Sequence, residues 1–91
     1  MPSLQYLIDS MCANFTAPSL HALVRGAVAG GPTTLTRLAR LVTEKDPSLD
    51  MGSARLLVEA AVGELAARGE VVVQGEAVWV AAGAPHTPAG P

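Results

Sequence analysis

The sequence predicts a mainly α-helical domain that closes with a small β-hairpin. Three observations carry this reading. Apolar residues recur at helical spacing in four separate stretches. Glycine, proline, serine, threonine and aspartate punctuate the gaps between them. The segment EVVVQGEAVWV, residues 70–80, is rich in valine and broken by Gln74-Gly75, which reads as two short strands and a turn.

The first expected helix covers residues 3–15, with Ser3 as its cap. Leu4, Leu7, Ile8, Met11 and Phe15 share one side and Tyr6 falls on the other. After a break at TAPS, Ser19 is placed to cap a helix whose inward residues are Leu20, Leu23, Val24, Ala27 and Val28. Gly30-Gly31-Pro32 stops it. Residues 33–35 read as a short extended piece. Thr36 is then expected to cap a helix over 36–46 that buries Leu38, Leu41 and Val42, and Pro47 ends it. Asp50 is the expected cap of a long helix over 51–68, which Gly69 terminates. In the hairpin, alternation puts Val71, Val73, Val78 and Val80 on one face and Val72 and Trp79 on the other. Residues 1–82 form one expected domain, and the Pro/Gly-rich tail over 83–91 is expected to be disordered.

Ninety-one residues support one modest core; a chain of this size buries roughly 60–65% of its unfolded surface. Hydrophobic residues make up 49% and charged residues 15%, which excludes a charge-rich disordered chain and leaves apolar surface for a partner. The net charge is −2, with one lysine and five arginines. No whole-molecule field therefore draws the chain to nucleic acid, where affinity comes largely from phosphate neutralisation. Cys12 stands alone and reads as a small core residue. No apolar run approaches the roughly 18 residues of a membrane span, and the N-terminus lacks a signal-peptide pattern, so a cytoplasmic protein is expected. Arg, Ala, Gly and Val outnumber Lys, Asn and Ile, a bias of GC-rich bacterial genomes.

The stretches GGPTTLTRLARLV, LVEAAVGELAARGEVVV and AVWVA follow each other as short strand and helix, long helix into strand, and returning strand. From Leu20 to Ala81 the chain resembles the winged helix-turn-helix superfamily, with helix 3–15 as an addition. The resemblance implies a recognition helix over 51–68 and a wing over the hairpin. It also implies two possible uses: many such domains regulate transcription by binding DNA, and others bind only proteins. An added N-terminal helix in this superfamily often serves dimerisation.

Residue by residue, the long helix favours protein over DNA. At about 100° per residue, Ala54, Val58, Ala61, Val62 and Leu65 share the core face. The opposite face carries Leu56, Ala60, Gly63 and Ala67, flanked by Glu59 and Glu64. A DNA-reading helix presents Arg, Lys, Asn, Gln or Ser there. The wing tip, Gln74-Gly75-Glu76, has no cation for a phosphate. The expected interface residues are Leu4, Leu7, Ile8, Met11 and Phe15 on the first helix, Leu56, Ala60, Gly63 and Ala67 on the long helix, and Trp79, whose plain reading is core and whose sharper reading is an interface anchor. A homodimer through the first helix, or another protein, is the expected partner. The alternative is a DNA-binding regulator that uses Thr36, Arg37, Arg40, Ser53 and Arg55, with phosphates at the helix N-termini. An Arg40–Glu44 pair at i, i+4 is the plain reading of that helix face.

No enzyme, cofactor, metal or small-molecule ligand is expected. His21 and His86 have no thiol or carboxylate at ligand spacing, and Gly30-Gly31-Pro32 lacks the Lys-Ser/Thr of a phosphate loop.

Overall fold

A computed structural model describes residues 3–81; the tail read as disordered lies outside the described residues. Four helices, α1 (Leu4–Met11), α2 (Ala17–Ala29), α3 (Leu35–Lys45) and α4 (Met51–Ala67), are joined by a small antiparallel sheet. Its strands are β1 (Thr33–Thr34), β2 (Val71–Gln74) and β3 (Ala77–Val80), in the order β1-β3-β2.

Local chemistry sets most boundaries. Ser3 accepts the N–H of Tyr6 and caps α1, as expected. The helix ends four residues earlier than its apolar spacing implied. Cys12 turns left-handed at φ 54°, and the Ala13 N–H returns to the Ile8 carbonyl. Phe15 therefore lies beyond the helix. Cys12 is exposed, not a core residue. Thr16, rather than Ser19, caps α2: Thr16 accepts the Ser19 N–H, and the Ser19 hydroxyl accepts the Thr16 N–H. Likewise Thr34 caps α3, two residues before the expected Thr36. Asp46, before Pro47, leaves the helical conformation at φ −135° and ψ 84° and ends α3. Asp50 caps α4 and Gly69, at φ 78°, follows its end, both as expected.

The long helix α4 is the hub, packed against α1, α2, α3 and β2. Its buried residues are the expected Ala54, Val58, Ala61, Val62 and Leu65, joined by Leu57. Around them lie Leu4, Ile8, Leu20, Val24, Val28, Leu35, Leu38 and Val42, with Val71 and Val78 from the sheet. The carboxylate of buried Asp46 accepts the N–H of Asn14 at 2.9 Å and the Ser48 hydroxyl at 2.5 Å, tying the α1–α2 link to the end of α3.

The hairpin loop is the two-residue Gly75-Glu76, and Gln74 ends β2 opposite Ala77. Pairing of Val71 with Val80 and Val73 with Val78 places these four on one face, as alternation required. Val71, Val78 and Val80 meet the core, whereas Val73 near the tip is exposed. Val72 and Trp79 pair on the outer face, and Trp79 stays half-buried outside the core cluster.

Candidate protein-interaction groove

The outward face of α4 does not lie open. It forms one wall of a groove of about 620 Å³ against α1, lined by Ser3, Leu7, Leu56, Glu59, Ala60, Gly63, Glu64 and Ala67. All four residues of the expected stripe are present, joined by Leu7 of α1. Leu56 stands 51% exposed at its edge. Ala60 is half-buried against the core, while Gly63 and Ala67 are exposed. A Cβ added at Gly63 would meet nothing within 4 Å. Glycine inside a helix costs about 0.5–1 kcal/mol relative to alanine, and no intramolecular contact requires it here.

The other expected interface residues are distributed differently. Leu4 and Ile8 are 0% and 3% exposed in the chain's own core, so they are not free for a second chain. Leu7, Met11 and Phe15 are half-buried against that core. The larger side chains of α1 are spent on holding α1 to the domain, and Leu7 is the residue of α1 that lines the groove.

The two glutamates beside the stripe are engaged. Glu64 turns inward: its Oε2 accepts the backbone N–H of Leu4 at 2.9 Å, and its Oε1 lies 2.9 Å from Nε2 of His21. The Leu4 N–H, then the His21 contact, hold the Glu64 carboxyl below the ordinary glutamate range against the opposing effect of burial. Glu59 pairs with Arg55 at 3.0 Å, one helical turn away. The groove floor thus faces outward as apolar surface with both bordering carboxylates held by partners within the chain.

The residues of the nucleic-acid alternative come together only in part. Arg55 donates to Thr36 Oγ1 at 3.1 Å, to Glu59 at 3.0 Å and to Glu76 at 2.6 Å. The same Glu76 carboxylate accepts the Thr36 N–H at 2.6 Å in the first turn of α3. These donors, Arg55 first and Thr36 next, pull the Glu76 carboxyl down to about 2. At the head of α4 the Ser53 N–H donates to Asp50. Both helix N-termini that would receive phosphate therefore already hold a carboxylate of this chain. Arg37 and Arg40 are exposed above a shallow pocket shared with Glu44. The expected Arg40–Glu44 pair is not formed; among the described residues neither Arg37 nor Arg40 makes an ion pair.

Three of these participants escaped sequence reasoning. His21 is 5% exposed; its spacing of three and seven from Val24 and Val28 did place it on the inward face. Glu76 reaches Thr36 across 40 positions, and Glu64 reaches Leu4 across 60, so no local pattern announces either. Among the described residues no group of three or more His, Cys, Asp or Glu is placed to hold a metal ion. Compared with protein-family models, curated proteins and solved structures, the chain matches none.

Proposed function

We propose that the chain is a winged helix-turn-helix domain with an added N-terminal helix, and that it acts as a protein-interaction module. The order α2-β1-α3-α4-β2-β3, with β3 between β1 and β2, supports the winged-helix reading. In that frame α4 is the recognition helix. Its outward face takes an apolar helix of a partner protein into the α1–α4 groove, against Leu7, Leu56, Ala60 and Gly63.

The observation that carries this reading is the arrangement around Glu76. A wing-tip carboxylate occupies the first turn of α3 and neutralises Arg55, the cation at the head of α4. A phosphate approaching this corner meets a fixed negative charge instead of free N–H groups and a free guanidinium. Exposed Arg37 and Arg40 favour the second reading, a DNA-binding regulator.

Titration with random duplex DNA at about 20 mM salt separates the two. The interaction reading expects no saturable binding in the micromolar range. Micromolar binding that falls steeply with salt, and is lost in R37A/R40A, overturns it. A photo-crosslinking side chain at position 56 should label a protein in the native cell, and the labelling should disappear when Gly63 is changed to Leu.

A further inference from the structure

We infer that a second copy of this chain joins at the free edge of β2, extending the sheet across a two-fold axis. This surface is separate from the α1–α4 groove, and the inference does not rest on the function proposed above.

β2 is an edge strand because β3 occupies the middle of the sheet. Its residues, Val71-Val72-Val73-Gln74, include no charge, proline or glycine, the usual protections of an exposed edge. Val72 and Val73 are 37% and 39% exposed. The other edge, β1, has only two residues and runs directly into α3.

The hairpin dictates which backbone groups point outward. A two-residue loop makes Gln74 and Ala77 a mutually bonded pair, and bonded pairs then alternate along the ladder. The Ala81 N–H donating to the Glu70 carbonyl at 3.1 Å continues this alternation. Glu70, Val72 and Gln74 therefore turn their N–H and C=O groups towards β3. Val71 and Val73 turn theirs away, and among the described residues no bond outside the ladder engages them.

That pattern complements itself. A two-fold axis normal to the sheet runs two β2 strands antiparallel with like faces on the same side. Centring it on Val72 sets Val71 of each copy opposite Val73 of the other, so all four outward N–H groups and all four outward carbonyls pair. A slip of one residue would set unlike faces side by side, and a slip of two would lose bonds. Because Val72 pairs with Trp79 within each hairpin, the outer face acquires an unbroken apolar row: Trp79, Val72, then Val72 and Trp79 of the second copy. The exposed Val73 gains cover from the second copy's Val71.

Charge agrees with this register. The seam is uncharged, and Gln74 falls opposite the second copy's Glu70. No like charges meet across the paired residues.

Sedimentation of the full chain over a concentration series tests the inference. The chain should dimerise. V73K, and separately V73P, should raise the dissociation constant by about tenfold or more through lost strand pairing. Proline at position 73 removes only an outward N–H, so it spares the hairpin, and V73K checks the result if V73P fails to fold. In a C12S background, V72C should form an intermolecular disulfide much faster than V73C, because the 72–72 pair is the close, non-bonded one. Three results would overturn the inference: a monomer at every concentration, a dimer that L56E breaks and V73K does not, or equal crosslinking of V72C and V73C.

Discussion

Oε1 of Glu64 lies 2.9 Å from Nε2 of His21, and Oε2 of the same carboxylate accepts the Leu4 N–H at 2.9 Å. An ionised carboxylate has no proton to give, so Nε2 of His21 is the donor. One side chain of α4 thereby ties the first turn of α1 to the first part of α2. Glu64→Ala should lower stability by about 1–2 kcal/mol, the lower part of the range for charge-assisted bonds because a third of the side chain meets water. It should also loosen α1 first. Amide exchange would show this as faster exchange at Leu7 and Ile8 than in α4; uniform acceleration over the domain would reject the clasp.

Acid should weaken the fold in a defined window. Glu64, Glu70 and Asp46 are all held below their ordinary values, by the Leu4 N–H, Arg25 and Ser48 respectively as the leading causes. Glu76 is held down to about 2, chiefly by Arg55. Below the ordinary carboxylate range the unfolded chain therefore binds more protons than the folded one, and stability rises with pH there. The contribution is complete above about pH 4.5 and is lost as pH falls towards about 2. Urea midpoints across this range measure it. A midpoint unchanged from about pH 5 to about pH 3 contradicts the assignment.

Glu76→Gln should awaken affinity for duplex DNA. It takes away one of the two carboxylates that pair with Arg55, leaving Glu59, and removes a negative charge from the first turn of α3. Binding at low salt should tighten by about tenfold relative to the unmodified chain and weaken with added salt. If affinity does not change, Glu76 is not what keeps this corner from phosphate.

Gly63→Ala separates stability from partner binding. The added methyl group meets open space, and the helix gains about 0.5–1 kcal/mol. Thermal unfolding should shift upward while crosslinking through position 56 declines. A gain in stability with crosslinking unaltered would place the partner's helix elsewhere.

Thr33→Val should stabilise the sheet. Thr33 is buried beside Val78, and its hydroxyl has no hydrogen-bond partner. Replacing it with a methyl group of similar shape removes an unsatisfied polar atom, a gain of about 1 kcal/mol. A fall in the denaturation midpoint would mean that the hydroxyl is satisfied by water.

The order of residues by itself determined four helices and a hairpin, because apolar period and helix stops are local properties. Asp50 and Gly69 bracket α4 through their own backbone preferences, and alternation alone divided Val72 and Trp79 from Val71, Val78 and Val80. The α4 stripe was legible for the same reason: i, i+4 and i+7 neighbours share a face in any helix. Cap positions shifted by a turn or less where several hydroxyls competed, as Thr16 with Ser19 and Thr34 with Thr36.

Only the tertiary structure decided what those faces meet. Leu4 and Ile8 look like spare apolar surface until α1 is laid on α4, where both vanish into the core. Arg55 looks like a free cation until the hairpin brings Glu76 to it, and Glu64 looks like an exposed charge until Leu4 and His21 reach it. Periodicity reports the direction a side chain leaves its own helix. An ion pair depends on where a second element, tens of residues away, has packed, and that is set by the shape of the whole core.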